Sequence, residues 1–396
     1  MTQWRCTQLS FAGQSGHAHT HSYYDIPVFD ETGRAIVAHR LFFSGRKPTS
    51  DDRIEIGIVN TDEPGSWDQI GTSSAWSWQQ GPLAQWIAGG PRLIWNDAEE
   101  NRHVARIFNR ETRSIKTLPM PVYSVDREGR HAFSINMARL NTVRPGYGYP
   151  GGGDARVDEA RPGDDGIWRM ALDDPSPKLI LSVSQAVDFM RRNIGWRLRL
   201  KQFRHRYVYW FNHLKLSPDG KRFTVKLRWR ELDGARNDRM GVSLTCNTDG
   251  TDLRLLATAT SHVIWKTSDV LYFWSEGAVR EYEDRSPRGT ERALLAPDLI
   301  DANVHIRHLD PNAQTYVFDT PYREKIDLFI LDRATGNHER IGRFEGHTPE
   351  RGEFRCDLHP CPNARGDRIV VTSMMSGMRQ LYLFSWNGAP FPDHGS

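Results

Sequence analysis

The stretch His213-Leu-Lys-Leu-Ser-Pro-Asp-Gly-Lys-Arg-Phe-Thr-Val-Lys-Leu227 decides how this chain is read. Apolar and polar residues alternate on both sides of Ser-Pro-Asp-Gly, as they do in two half-buried strands, and Asp-Gly is hairpin chemistry. Tyr123-Ser-Val-Asp-Arg-Glu-Gly-Arg-His-Ala-Phe133 repeats the arrangement. Such turns recur near Asp30, Gly89, Asp126, Asp219, Thr267, Asp310 and Asn363, at intervals of 59, 37, 93, 48, 43 and 53 residues. Apart from the longest interval, these lie near the ~40–50 residue period of propeller blades. The longest interval holds two insertions, a Gly/Pro-rich one at about 144–165 and a mostly helical one with a basic end at about 185–210. Second halves of the units also repeat, in Ala105-Arg-Ile-Phe-Asn-Arg-Glu-Thr112, Leu328-Phe-Ile-Leu-Asp-Arg-Ala-Thr-Gly336 and Leu381-Tyr-Leu-Phe-Ser-Trp-Asn-Gly388. The expected fold is all-β, a single seven-bladed β-propeller over residues 1–396, with segment 3–11 adding the closing strand to the last blade. A two-domain β-sandwich protein is the alternative.

Composition agrees with a β-rich globular protein. The 396 residues include 13 Trp, 12 Tyr and 17 Phe for sheets, and 33 Gly and 22 Pro for turns. With 38% apolar and 26% charged residues, a disordered chain is excluded. The 52 Lys+Arg against 49 Asp+Glu leave a formal charge of +3, too little for a long-range field, so neither nucleic acid nor a membrane is an expected partner. Cys6, Cys246, Cys356 and Cys361 have no Cys-x-x-Cys spacing and are too few for a disulfide scaffold. The first residues lack an apolar run of signal-peptide length, so the expected location is cytoplasmic, or periplasmic or secreted if the start was trimmed. A monomer or small homo-oligomer is expected.

In a propeller, residues just before each innermost strand converge although they are distant in sequence. That position holds Tyr24, Gln80 or Gln85, Tyr123, His213, His262, His305 and His359. Four successive units supply histidine, at separations of 49, 43 and 54 residues. Neutral imidazoles aimed at one place can ligate a divalent metal, or divide the work of base and ligands. A histidine that only ties blades together is the structural alternative, although its usual Trp-Asp companion occurs once, at Trp67-Asp68. His308 and His347 read as surface or turn residues, and His17 and His19 as part of a mobile terminus. Tyr123 and Arg139 lie 16 residues apart, past one hairpin. A guanidinium beside a phenol favours the phenolate, and can also clamp a carboxylate, whereas a plain buried contact is the alternative. Trp76-Ser-Trp-Gln-Gln-Gly-Pro-Leu-Ala-Gln-Trp86 and Arg144-Pro-Gly-Tyr-Gly-Tyr-Pro150 offer the apolar faces and hydrogen-bonding edges that sugar rings need. No Gly-x-Ser-x-Gly, phosphate-binding glycine loop or His-Glu-x-x-His occurs.

Asn212-His-Leu-Lys-Leu-Ser-Pro-Asp-Gly220, Ser261-His-Val-Ile-Trp265, Asp319-Thr-Pro-Tyr322 and Arg355-Cys-Asp-Leu-His-Pro360 resemble blade motifs of propeller-type polysaccharide lyases, the oligogalacturonate lyases and ulvan lyases. His21-Ser-Tyr-Tyr-Asp25 and Trp78-Gln-Gln-Gly81 resemble the first blades of that group. The resemblance implies β-elimination on a uronic-acid-containing oligosaccharide or polysaccharide. By the same likeness, His213 resembles the base, and His262, His305 and His359 resemble ligands of a divalent metal. Manganese or zinc suits them first, with calcium or no metal as alternatives. Tyr123 and Arg139 resemble a catalytic tyrosine and a carboxylate-neutralising arginine. His21, Tyr24, Gln80, Asn136, Arg144, Tyr147, Tyr149 and Arg355 are the expected substrate contacts. The chain departs from the pattern at Gln79 and Gln80, where ulvan lyases bring histidines, and at Phe354 and Asp357 near the last ligand; Asp357 can itself ligate or orient His359. A non-catalytic glycan- or protein-binding propeller, or a glycoside hydrolase using Asp357 and Glu353, are the other functional readings.

Overall fold

A computed structural model describes residues 3–13, 16–153, 156–232, 240–347 and 352–388. Its strands form seven four-stranded sheets, and the fold is a seven-bladed β-propeller. The blades span residues 18–73, 85–118, 124–182, 207–257, 261–295, 306–344 and 361–386, numbered one to seven here. Strand Trp4–Gln8 pairs antiparallel with Gln380–Trp386, Cys6 opposite Phe384, as the fourth strand of blade seven. All seven turns read from the sequence fall between the first and second strands of a blade. The residue that opens the turn also holds it. Asp30, Asp126, Ser217, Thr267, Asp310 and Asn363 each accept a backbone N–H from three to five residues further on. These local bonds are why the blades are written so plainly in short stretches of sequence.

The backbone divides into two compact units. One comprises residues 1–98, 105–117 and 302–396; the other comprises 99–104 and 118–301. In the first unit, blades six and seven share an apolar cluster that includes Val317, Leu328, Ile369 and Phe384. In the second, Leu256 of blade four packs with Val263, Trp265 and Leu271 of blade five, and Trp265 Nε1 donates to the Lys215 carbonyl at 3.1 Å. Trp95 makes the same kind of bond to the Thr72 carbonyl, 3.0 Å, in the first unit.

Among the described residues the second unit carries three helices, α1 (Met137–Val143), α2 (Val183–Asn193) and α3 (Trp196–Arg204). The latter two fill the helical insertion expected at 185–210, and α2 starts on a capping box made by Ser182 and Gln185. Residues 154 and 155 of the other insertion lie outside the described residues. Helix α1 was not expected. The sequence places Arg139 on a strand past a hairpin, but the Asn136 side chain accepts the Arg139 N–H as an N-cap and turns the chain into a helix.

Candidate active site and metal site

Three of the four inner-strand histidines share an uncommon backbone state. His213, His262 and His359 have φ of +54°, +52° and +48°. At His213 and His262 the pairing register shifts around the residue, between Asn212 and Lys215 and between Ser261 and Ile264. A bulged residue in the left-handed region re-aims its side chain out of the regular alternation, at a cost on the order of 1–3 kcal/mol. His305 reaches its place without that device.

In the second unit, His213 is the centre of a positively charged cluster. Tyr123 Oη accepts the His213 backbone N–H at 3.2 Å and lies 3.4 Å from its Nδ1. The hydroxyl also reaches Asn212 Oδ1 at 3.5 Å, and the same oxygen accepts the His213 N–H at 2.8 Å. When Nδ1–H donates to Tyr123 and Tyr123 donates to Asn212, Nε2 is the ring nitrogen that carries the lone pair. Desolvation, then the charges of Arg144, Lys215, Arg228 and His262, hold the His213 pKa well below the ordinary histidine value. The ring is therefore a neutral base. Tyr147 meets it edge-on at 5.5 Å, and the Arg144 guanidinium stacks 3.8 Å above the Tyr147 ring.

Arg144 is 7% exposed, and its Nε and Nη1 have no hydrogen-bond partner among the described residues. On blade four, Lys226 lies opposite Asn212 and shares a strand face with Arg228. Gly241, paired with Arg228, leaves that face open: a Cβ there would sit 3.0 Å from Arg228 Cγ and 3.4 Å from Lys226 Cε. Burial, with Arg228 and Arg144, pushes the Lys226 ammonium pKa well below lysine's usual range. The charges that act on His213 and Lys226 are all cationic, a setting that calls for an anion.

Arg139 does not serve as the expected clamp. It is 2% exposed, and its guanidinium is spent on main-chain carbonyls of Tyr209, Arg156, Glu159 and Ala160. Its work is to fasten α1 and the 144–165 insertion to blade four. Asn136 is occupied as the N-cap and as a donor to Asp165 Oδ2 at 2.9 Å. Tyr149 is buried edge-on against His103, 5.5 Å away, and its N–H donates to the Met137 carbonyl. The Tyr147–Tyr149 turn lies so close to α1 that a Cβ on Gly148 would come within 2.1 Å of the Asn141 nitrogen.

The first unit gathers a different set. Ligand atoms of His305, Asp357 and His359 all lie within 4.8 Å of one another, and all three residues are buried. The two imidazole rings are 4.6 Å apart at 86°. His305 Nδ1 donates to Asp319 Oδ2 at 2.9 Å, and the His305 backbone N–H donates to Asp319 Oδ1 at 2.9 Å. This fixes the ring and directs Nε2 away from the carboxylate, the second-sphere arrangement usual for metal-binding histidines. Burial opposes charge on His305, but the Asp319 charge and hydrogen bond, with Asp357, outweigh it and raise the pKa. Two imidazoles and a carboxylate are a donor set suited to manganese or zinc. Asp357 rather than His262 completes the group. It stands two residues before His359 on the same loop, whereas His262 belongs to the second unit's cluster.

The remaining expected contacts fall around that triad or apart from it. Tyr24 lies 5.1 Å from the His305 ring, and Tyr23, which sequence reading passed over, lies 4.6 Å from His359. Arg355 donates to Asp357 Oδ2 at 2.7 Å, so it orients a triad member. Gln80 is buried, but its neighbour Gln79 is the one that grips the loop, donating to the carbonyls of Glu353 and Arg355 at 3.0 Å each. His21 is buried with Nδ1 2.6 Å from the Ser22 carbonyl, and its Nε2 has no hydrogen-bond partner among the described residues. His19 is no mobile-terminus residue: it is buried 3.0 Å from Gln380 Oε1 and accepts from Arg40. His347 is likewise buried, bridging the Cys356 carbonyl and Ser373 Oγ. Asp319 and Lys226 were also passed over as site residues. Asp319 opens Asp319-Thr-Pro-Tyr322, while nothing local marks Lys226.

The class these observations define is a seven-bladed β-propeller with a buried histidine–carboxylate triad suited to a metal in one unit and a neutral histidine among cations in the other. No family model matches the chain, and no curated protein matches it in sequence. In structure it is similar to an oligogalacturonate lyase in complex with manganese, at TM-score 0.63 and 13% identity over 96% of this chain and 93% of that one. It is also similar to an oligogalacturonate lyase from Vibrio parahaemolyticus, at TM-score 0.61 and 11% identity over 96% and 93% of the two chains. At such identities the likeness establishes the fold.

Proposed function

We propose that the chain is an oligosaccharide or polysaccharide lyase acting by β-elimination on a uronic-acid-containing glycan. The observation that carries this reading is the buried Arg144 guanidinium, whose Nε and Nη1 have no hydrogen-bond partner among the described residues, beside a histidine held neutral by burial and by surrounding cations. A proton on the carbon next to a carboxylate is weakly acidic, and it becomes removable when the carboxylate's charge is neutralised and a base is in place. Arg144 offers a guanidinium N–H to the carboxylate, with Arg228 adding positive charge. His213 Nε2 takes the proton from C5, the C–H electrons form the C4–C5 double bond, and the C4–O bond breaks. The departing oxygen takes up a proton from solvent or from the imidazolium. Tyr123 and Asn212 act through His213 as positioning residues. His305, Asp357 and His359 would hold a divalent cation, manganese or zinc by their donor set and manganese by the structural likeness; such an ion supplies positive charge.

The test is the initial rate of near-ultraviolet absorbance, from the 4,5-unsaturated product, over a panel of acidic oligosaccharides and polysaccharides with manganese present. Turnover of at least one uronate glycan is expected, and His213→Ala should lower it by roughly 10²–10⁴-fold. Binding without turnover would mark the chain as a glycan-binding propeller and overturn the proposal.

A further inference from the structure

Helix α3 presents the wrong face to solvent for an ordinary surface helix. Trp196, Leu200 and Phe203 are 71%, 42% and 65% exposed, while Gln202 on the opposite side is buried and receives the Tyr209 hydroxyl proton. Spaced at i, i+4 and i+7, the three apolar residues form one stripe along the helix. Arg199 flanks the stripe on one side and Arg197 and Arg204 on the other, and the helix contains no acidic residue. Arg197 lies 5.3 Å from the Trp196 ring centroid, so cation and aromatic face share one surface.

We propose that α3 is an interfacial helix that seats the protein on an anionic membrane surface. A nine-residue helix fixed along one side can insert only a shallow stripe, which suits a planar lipid interface better than a groove that wraps a whole helix. Like charges along both margins would oppose each other across a contact between two copies of the chain. The same charges are complementary to acidic lipid headgroups, while Trp and Phe belong at the depth where headgroups meet acyl chains. The near-neutral overall charge conceals this face, because the opposing charges lie elsewhere on the chain.

The test is co-sedimentation of the full chain with vesicles of phosphatidylcholine alone and with about 30% phosphatidylglycerol, across a salt series. Binding to the acidic vesicles, weakened by salt, is expected. Trp196→Ala with Phe203→Ala, and separately Arg197→Glu with Arg199→Glu, should each lower partitioning by roughly tenfold or more. No binding to acidic vesicles, or binding that both double variants leave unchanged, would overturn the proposal. So would a dimer in solution that the Trp196→Ala/Phe203→Ala protein loses, since the stripe would then be a self-association face.

Discussion

His213 sits at φ +54° where the strand register shifts, with its Nδ1 beside the Tyr123 hydroxyl. Its chemistry at low pH follows from its neighbours. Because desolvation, then the charges of Arg144, Lys215 and Arg228, lower its pKa, the basic form persists below the ordinary histidine range, and the acid limb of kcat/KM should fall there too. Arg144→Gln removes one of those charges. The His213 pKa then rises, the base is protonated at higher pH, and the acid limb moves upward while kcat/KM falls; a pH–rate profile of the two proteins checks this. An acid limb that stays in place would separate Arg144 from the base.

At the scale of elements, the hairpin turns and the triad loop carry separable predictions. Asp310 accepts from the backbone N–H groups of Asn312, Gln314 and Thr315 in the inner turn of blade six. Asp310→Ala should cost about 1–2 kcal/mol of stability in urea unfolding with little effect on metal content. Asp319→Asn keeps all three ligands but removes the charge that orients His305, and should weaken manganese binding by about 10–100-fold in calorimetric titration. These turns were legible in the sequence because donor and acceptor lie within five residues. Helix α1 was not, since Ser134-Ile-Asn-Met-Ala-Arg-Leu140 alternates like a strand until Asn136 caps it. The histidines at the starts of inner strands were legible through their spacing. Arg139 misled for the reason that α1 did, and Lys226 meets Asn212 only through pairing that a one-dimensional pattern does not reveal.

At the scale of the whole molecule, buried neutral histidines link stability to pH. Burial lowers the His21 pKa to about 4 and, joined by the charges of His21, Arg379 and His19, the His39 pKa to about 3, against an ordinary 6.5. Between those values the unfolded chain binds more protons than the folded one. Stability is therefore full above 6.5 and falls as pH drops toward 4. The loss reaches several kcal/mol, because lowering a pKa by one costs about 1.4 kcal/mol once the pH is below it. His39→Gln should flatten that slope when urea midpoints are compared at about pH 7 and about pH 5. The fold itself was readable because seven near-copies of one hairpin stand in sequence order, while the distribution of charge was hidden by a sum of +3. The most direct test of the lyase assignment is mass spectrometry of the products formed from the best uronate oligosaccharide in heavy-oxygen water. Elimination requires one fragment lighter than its hydrolytic counterpart by a water, with no more heavy oxygen than free reducing ends acquire by exchange; a fragment pair that together gains a water, or an uncleaved glycan, would contradict the account.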